Sequence, residues 1–140
     1  IRRFPDAAHG ETHLKLGDAY AAKGMYGESV GNYLKGLSEL GTEADKIAEL
    51  RESFARSGIK GFYAKLLEQY KAQPQAEQDA IDIAELYARL GEKDQAFQWL
   101  ERAYAMHADG LVHLKQEIGF DNLRTDPRYA DLLRRVGLPQ

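Results

Sequence analysis

The apolar residues of this chain recur in clusters that share one internal spacing. In each cluster an aliphatic residue is followed by an aromatic residue four positions later and by a glycine four positions after that. The three sets are Leu16, Tyr20 and Gly24; Leu50, Phe54 and Gly58; and Ile83, Tyr87 and Gly91. The spacing between successive sets is the same at all three positions, roughly 34 residues. Self-similarity at such a period is typical of repeat proteins.

Each cluster also predicts a pair of helices. Apolar residues at i, i+3 or i+4 and i+7 place a stripe on one face, which indicates an amphipathic helix. The glycine predicts the end of that helix, because the chain must take a left-handed conformation there to turn back. A second, antiparallel helix is predicted at roughly 27–40, 60–72 and 93–106. No segment alternates with period two over a useful length, so the sequence predicts no strand.

The first and third clusters resemble the tetratricopeptide (TPR) repeat, whose pattern is W-x2-L-G-x2-Y followed by A-x3-F. The first carries Leu16-Gly17-x2-Tyr20 with Ser29-x3-Tyr33, and the third carries Ile83-Ala84-x2-Tyr87 with Ala96-x3-Leu100. The resemblance implies an all-α fold, a TPR-like right-handed superhelical stack of three antiparallel helix pairs plus a C-terminal capping helix.

We expect one TPR-like domain over 1–140, and the second repeat to be irregular. The repeats are placed at about 10–43, 44–76 and 77–108, with a capping segment at 109–140. In the second repeat Arg51 and Tyr63 stand where the pattern has small residues, so its helices are expected to be shifted or splayed. Arg2-Arg3-Phe4-Pro5-Asp6 is interpreted as the proline-marked exit of an earlier repeat.

The capping segment carries its own helix signals. Asp126 can cap a helix, and Pro127 suits its first turn. Tyr129, Leu132, Leu133 and Val136 then fall on one face, and Gly137 ends the run. Ten residues cannot hold a helix alone in water. We therefore expect this helix to dock on the third pair and to cover an apolar face there.

Residues 90–104, in the third repeat, and the tail at 111–115, 120–129 and 132–138 also resemble the C-terminal TPR regions of bacterial multidomain proteins. In those proteins the array follows winged-helix DNA-binding, Ser/Thr kinase or nucleotide cyclase domains. The resemblance implies a protein–protein interaction module, the regulatory C-terminal part of a larger bacterial signalling or transcription protein in the cytoplasm. The alternative is a sensing domain that binds a small molecule or peptide in the concave groove. A structural role through dimerisation stays open, and the sequence predicts no oligomeric state.

Composition narrows the classes of function. The 140 residues have a formal net charge of −3, which is a poor electrostatic match for nucleic acid. The absence of cysteine excludes disulfides, thiol catalysis and thiolate metal sites. No apolar stretch approaches the roughly 20 residues that cross a bilayer. We predict no cofactor and no membrane partner.

Candidate catalytic and metal-binding residues each have a simpler interpretation. His9 and His13 lie four apart, but His9 is expected to precede the helix and no third ligand is near, so no metal site is predicted. Acidic pairs such as Asp79 with Asp82 are typical of exposed helices, and no residue is assigned a catalytic role. The chain is therefore predicted not to be an enzyme.

The residues expected to line a partner-binding groove come from the first helix of each pair. They are Glu11, Leu14, Lys15, Asp18 and Ala22; Asp45, Ala48, Glu49, Glu52 and Arg56; and Gln78, Ile81, Asp82, Glu85 and Arg89. One position is acidic in every repeat, as Asp18, Glu52 and Glu85. Because complementary charge selects partners, we predict a basic or apolar protein or peptide ligand. The alternative is that these carboxylates only keep the array soluble.

Overall fold

The computed structural model describes residues 3–74, 76–106 and 118–137, without the side chains of 3–9, 77–78 and 118–119. Within these ranges there are six α-helices and two 3-10 helices, η1 and η2, and no strand, so the all-α prediction is confirmed. The elements are α1 Arg3–Ala22, α2 Tyr26–Glu39, α3 Ala44–Lys71, η1 Ala76–Asp79, α4 Ala80–Arg89, α5 Lys93–Ala105, η2 Ile118–Leu123 and α6 Pro127–Val136. The chain divides into two compact units, Ile1–Lys65 and Leu66–Gln140.

The repeated glycine behaves as the sequence predicts. Gly24, Gly58 and Gly91 have φ values of 76°, 73° and 83°, all in the left-handed region. A side chain with a Cβ is strained in this conformation, whereas glycine adopts it freely. The period of the sequence therefore corresponds to a repeated backbone turn.

The second pair is a helical hairpin within α3. Gly58, with φ 73° and ψ −161°, interrupts the helix. A Cβ built on Gly61 would lie only 3.0 Å from the carbonyl oxygen of Ser53. In a continuous helix these residues would be about 12 Å apart along the axis. The chain therefore folds back on itself at Gly58.

The close approach in this second pair lies near its turn, at Ser53 and Gly61. The positions that the repeat pattern reserves for small residues hold Arg51, which is exposed, and Tyr63, which is buried. Because neither side chain permits two backbones to meet, the close contact occurs slightly nearer to the turn. The second repeat thus departs from the pattern at the two residues that the sequence singles out.

In the first unit, α1 and α2 pack at short range through small residues. A Cβ on Gly36 would lie 2.7 Å from the carbonyl oxygen of Gly10. The Ser29 hydroxyl is buried and donates a hydrogen bond of 2.7 Å to the carbonyl oxygen of Gly17. The remaining core of this unit comes mainly from α2 and α3. It consists of Val30, Leu34, Leu37, Ile47, Leu50, Phe62 and Tyr63.

The start of α1 differs from the expectation. The helix begins at Arg3, ahead of the predicted repeat boundary at 10, so residues 3–6 form its first turn rather than the exit of an earlier repeat. Pro5 lies in this first turn, where backbone N–H groups have no helical partner, so proline removes no hydrogen bond. The prediction that His9 precedes the helix is wrong for the same reason.

In the second unit, α4 packs against α5, and η2 packs against α4. The buried side chains are mostly aliphatic and include the fully buried Ile83, Ala84, Leu100 and Leu123. Helix α6 packs on α5 and buries Tyr129, Leu132 and Leu133, so the predicted docking of the tail on the third pair is confirmed.

The predicted ends of α6 are also confirmed. The Asp126 carboxylate accepts a hydrogen bond of 2.9 Å from the backbone N–H of Arg128, which satisfies a donor at the helix N-terminus. Pro127 is the first helical residue, and Gly137 ends the helix with φ 93°.

The contacts of the tail keep the spacing of the repeat. Arg128 pairs with Asp94 at 2.9 Å, and Arg135 pairs with Glu101, with Nη1 and Oε1 2.9 Å apart. In both pairs the partners are 34 positions apart, and both partners advance by two helical turns from one pair to the next. Helix α6 therefore runs parallel to α5 at an offset of one repeat.

Candidate interaction surfaces

The predicted groove residues of the first unit lie on the solvent side of their helices. Leu14 and Asp18 are half-buried. The other eight are exposed: Glu11, Lys15, Ala22, Asp45, Ala48, Glu49, Glu52 and Arg56. None of them belongs to the hydrophobic core of this unit.

In the second unit Asp82 is exposed, and Ile81, Glu85 and Arg89 are half-buried. The side chain of Gln78 lies outside the described residues. The core residues of α4, such as Ile83 and Leu86, occupy other positions of the same helix. Each first helix thus has one polar or mixed face that the core does not use.

The acidic position has a different local partner in each repeat. The Asp18 carboxylate accepts a hydrogen bond from the Tyr33 hydroxyl on α2. Glu52 and Glu85 instead have an arginine one helical turn later, at 3.8 Å for Arg56 and 3.2 Å for Arg89.

Because these partners differ in charge, the electrostatic environment of the acidic position differs between the repeats. In the first repeat Ala22 stands where the other two have arginine, so no guanidinium offsets the charge of Asp18 from there. Of the three carboxylates, only Asp18 lacks an arginine at this spacing. The alignment of all three along one groove involves both units and stays a prediction.

Shifted pKa values occur at helix ends and in the contacts of the tail. Hydrogen bonds from Arg128 lower the pKa of the Asp126 carboxyl to about 2. A hydrogen bond from Arg135 lowers the pKa of Glu101, and burial raises the pKa of Asp79. The two lowered values arise from contacts that hold α6 and its cap, so they indicate structural carboxylates.

The side chain of His9 lies outside the described residues. Among the side chains that the structure describes, no three histidine, aspartate or glutamate side chains are arranged to hold an ion. His13 lies instead against Glu39, with its Nδ1 2.8 Å from the carboxylate, and this contact links α1 to α2. No helix in the described ranges is long and apolar enough to cross a bilayer.

A second surface, which the sequence reasoning missed, surrounds the first turn. We call Leu16, Tyr20, Met25 and Tyr26 the turn patch. Leu16 and Tyr20 are one helical turn apart on α1, and the backbone N–H of Met25 donates to the carbonyl oxygen of Tyr20 at 2.9 Å. Leu16, Met25 and Tyr26 are exposed by 42%, 41% and 41%, and Tyr20 is half-buried. The residues on and just before the first turn thus include three exposed and one half-buried apolar or aromatic side chain.

The equivalent turn of the second unit has the same backbone and different side chains. Met25 has φ −90° and ψ 73°, and Glu92, which follows Gly91, has φ −91° and ψ 73°. The N–H of Glu92 donates to the carbonyl oxygen of Tyr87 at 2.9 Å, matching the bond from Met25 to Tyr20. Aligning the turns by sequence would have revealed the contrast, because Met25-Tyr26 corresponds to Glu92-Lys93.

Comparisons with protein-family models, with curated proteins and with solved structures found no match to this chain.

Proposed function

We propose that this chain is a protein–protein interaction module of the TPR type, which binds a protein or peptide on the solvent face of its first helices. The observation that carries the proposal is the acidic position. Asp18, Glu52 and Glu85 recur with the period of the repeat, yet none of them contributes to the hydrophobic core. A charge that is kept in register and not used by the core is well placed for recognition.

The partner of this face is basic or apolar. An acidic peptide would meet like charge at each repeat, and such contacts cost up to several kcal/mol when they are desolvated. Arg56 and Arg89 offset part of the charge in the second and third repeats.

We further propose that the chain is the regulatory C-terminal part of a larger bacterial signalling or transcription protein. The support is the resemblance of residues 90–104 and of the tail to that group of proteins. In such an arrangement the module recruits a partner that controls the attached domains.

The test is a peptide-display selection on the purified chain, followed by binding measurements with the enriched peptides. We expect the peptides to be basic or apolar, and their affinity to fall as salt rises. Reversal of Asp18, Glu52 and Glu85 to lysine changes the formal charge from −3 to +3. This triple variant should lose the binding.

A matched control reverses Glu28, Glu43 and Glu92 to lysine, three exposed carboxylates outside the predicted groove. It has the same net charge as the triple variant and should keep the binding. If both variants lose binding equally, only net charge matters, and the carboxylates serve solubility. Unchanged binding and unchanged salt dependence in the triple variant would also mean that the carboxylates serve solubility only.

A further inference from the structure

We propose that Tyr33 is a positioning residue of the proposed binding face, and that its hydroxyl holds the Asp18 carboxylate in place for a lysine or arginine of the ligand. This inference rests on the proposed function, because it names a residue that acts on the same ligand. Tyr33 lies on α2, outside the first helices that are expected to line the groove. It therefore acts on the ligand through Asp18.

The contact between these two side chains joins the two helices of the first pair. The Tyr33 hydroxyl donates a hydrogen bond to the Asp18 carboxylate, and both residues are half-buried. A hydrogen bond to an ionised acceptor is stronger than one between neutral groups. Because a tyrosine hydroxyl is a neutral donor, this contact fixes the carboxylate without neutralising its charge.

The ring of Tyr33 is itself held by contacts with two other helices. A Cβ on Gly17 would lie 2.8 Å from Cδ2 of Tyr33, so a larger residue at this position of α1 would displace the ring. The ring centre also lies 5.9 Å from that of Phe62, a fully buried residue of α3. Aromatic rings at this separation attract each other. A hydroxyl whose ring is fixed by packing can define the position of the carboxylate that accepts its hydrogen bond.

The third repeat holds its acidic side chain in a different way. Leu100 occupies the position of Tyr33 there and is fully buried, and a leucine side chain donates no hydrogen bond. Glu85 lies instead 3.2 Å from Arg89, whereas the first repeat has Ala22 at the position of this arginine. The tyrosine and the alanine of the first repeat thus replace a leucine and an arginine together. Both repeats hold the carboxylate with a neighbouring side chain, and the tyrosine does so without adding a charge.

A carboxylate that is already fixed lowers the cost of binding a cationic group. A side chain that rotates freely must be ordered when the ligand binds, and this loss of entropy opposes binding. Since the Tyr33 hydroxyl orders Asp18 beforehand, its removal should weaken the binding of a cationic ligand by about twofold to tenfold. A neutral ligand forms no ion pair with Asp18 and should bind as before.

The experiment is a double-mutant cycle with Tyr33→Phe, Asp18→Asn and the two combined. Tyr33→Phe removes only the hydroxyl and keeps the ring that packs on Phe62. The probe is the tightest-binding peptide from the display selection on the natural chain, and its matched analogue has glutamine at every lysine and arginine. The control variant is Tyr26→Phe, which removes the hydroxyl of an exposed tyrosine on the same helix.

We expect Tyr33→Phe to weaken binding of the probe by about twofold to tenfold, and the control to leave it unchanged. In the Asp18→Asn background the same substitution should have no further effect, because the charge that it positions is absent. The glutamine analogue should bind the natural chain and Tyr33→Phe equally. This last comparison separates positioning from a general loss of stability, which would weaken the binding of both peptides.

Three results would overturn the inference while the proposed function stands. They are unchanged binding of the probe to Tyr33→Phe, an equal loss in the Asp18→Asn background, and an equal loss with the glutamine analogue. Selected peptides without lysine or arginine would overturn it as well. If the selection enriches no peptide, or the enriched peptides do not respond to reversal of Asp18, Glu52 and Glu85, both proposals fail.

Discussion

The first and third helix pairs have the same backbone conformation at their turns, but the aliphatic residue of the repeat is exposed in the first pair and buried in the third. In the first pair the glycines and Ser29 bring α1 and α2 together, and Leu16 remains in water. In the third pair α4 and α5 pack through alanine and larger side chains, and Ile83 is fully buried. The difference shows that the repeat pattern specifies the turn and the pairing of two helices. It does not specify what covers them.

In the second unit, α6 contacts α5 through arginine side chains as well as through apolar side chains. The guanidinium of Arg128 lies 4.4 Å from the ring centre of Phe97, and that of Arg135 lies 5.0 Å from the ring centre of Tyr104. Each arginine therefore contacts an aromatic ring and a carboxylate of α5 at once. Cation–π contacts at exposed sites contribute about 0.5–1 kcal/mol each. The main stabilisation by α6 still comes from its buried apolar side chains.

Removal of residues 126–140 should have the largest effect and would make the second unit resemble the first. Full burial of a leucine or aromatic side chain contributes roughly 1.5–3 kcal/mol, and Tyr129, Leu132 and Leu133 would all be lost. We expect a loss of several kcal/mol in the free energy of unfolding, measured by urea denaturation. An unchanged urea midpoint in a monodisperse truncated protein would show that α6 does not stabilise the second unit by covering apolar surface.

Substitution of the turn glycines should have an intermediate and equal effect in the two units. Gly24→Ala and Gly91→Ala both place a Cβ at a positive φ, and neither Cβ would meet another atom within 4 Å. The cost is therefore conformational strain alone, about 1–2 kcal/mol at each site. Gly27→Ala, at an exposed helical position, is the control and should not destabilise. Unequal losses, measured by thermal unfolding, would mean that the two turns are not equivalent.

Acidification should have the smallest effect and should act on the second unit through Asp126. The pKa of this carboxyl is lowered from 3.8 to about 2 by Arg128, so its contribution is fully present above pH 4. It is lost as the pH falls through about 2, when the cap of α6 is protonated. We expect the thermal midpoint to fall over this window by more in the natural chain than in an Asp126→Asn variant. The same pH dependence in both proteins would assign the loss to other carboxylates.

The sequence predicts the helices and their turns well, because each turn depends on one glycine and each helix on an apolar stripe. Gly24, Gly58 and Gly91 could be identified from their spacing alone. The start of α1 could not, since Pro5 is compatible both with the end of one helix and with the first turn of another. The pairing of Arg128 with Asp94 was also missed, because it depends on how α6 lies along α5.

The predicted groove could be derived from the sequence only in part. Sequence alignment of the repeats found which side chains of the first helices remain outside the core, because that follows from helical periodicity. It did not find that Tyr33 donates to Asp18, which requires the distance between two helices. The turn patch was missed because the repeats were aligned at their apolar slots and not at the residues that follow each glycine.

The constant offset between the paired residues of α5 and α6 has a consequence for how such a chain can change its length. A whole repeat added ahead of α6 would present a new copy of Asp94, Phe97 and Glu101 at the same distance from Arg128 and Arg135. The terminal helix would then close a longer array with no change of its own sequence. An insertion of any other length would misplace both arginines together. If the helix pairs stack as a repeat array, as proposed, the tail would serve as a transferable end piece for arrays that differ in length by whole repeats.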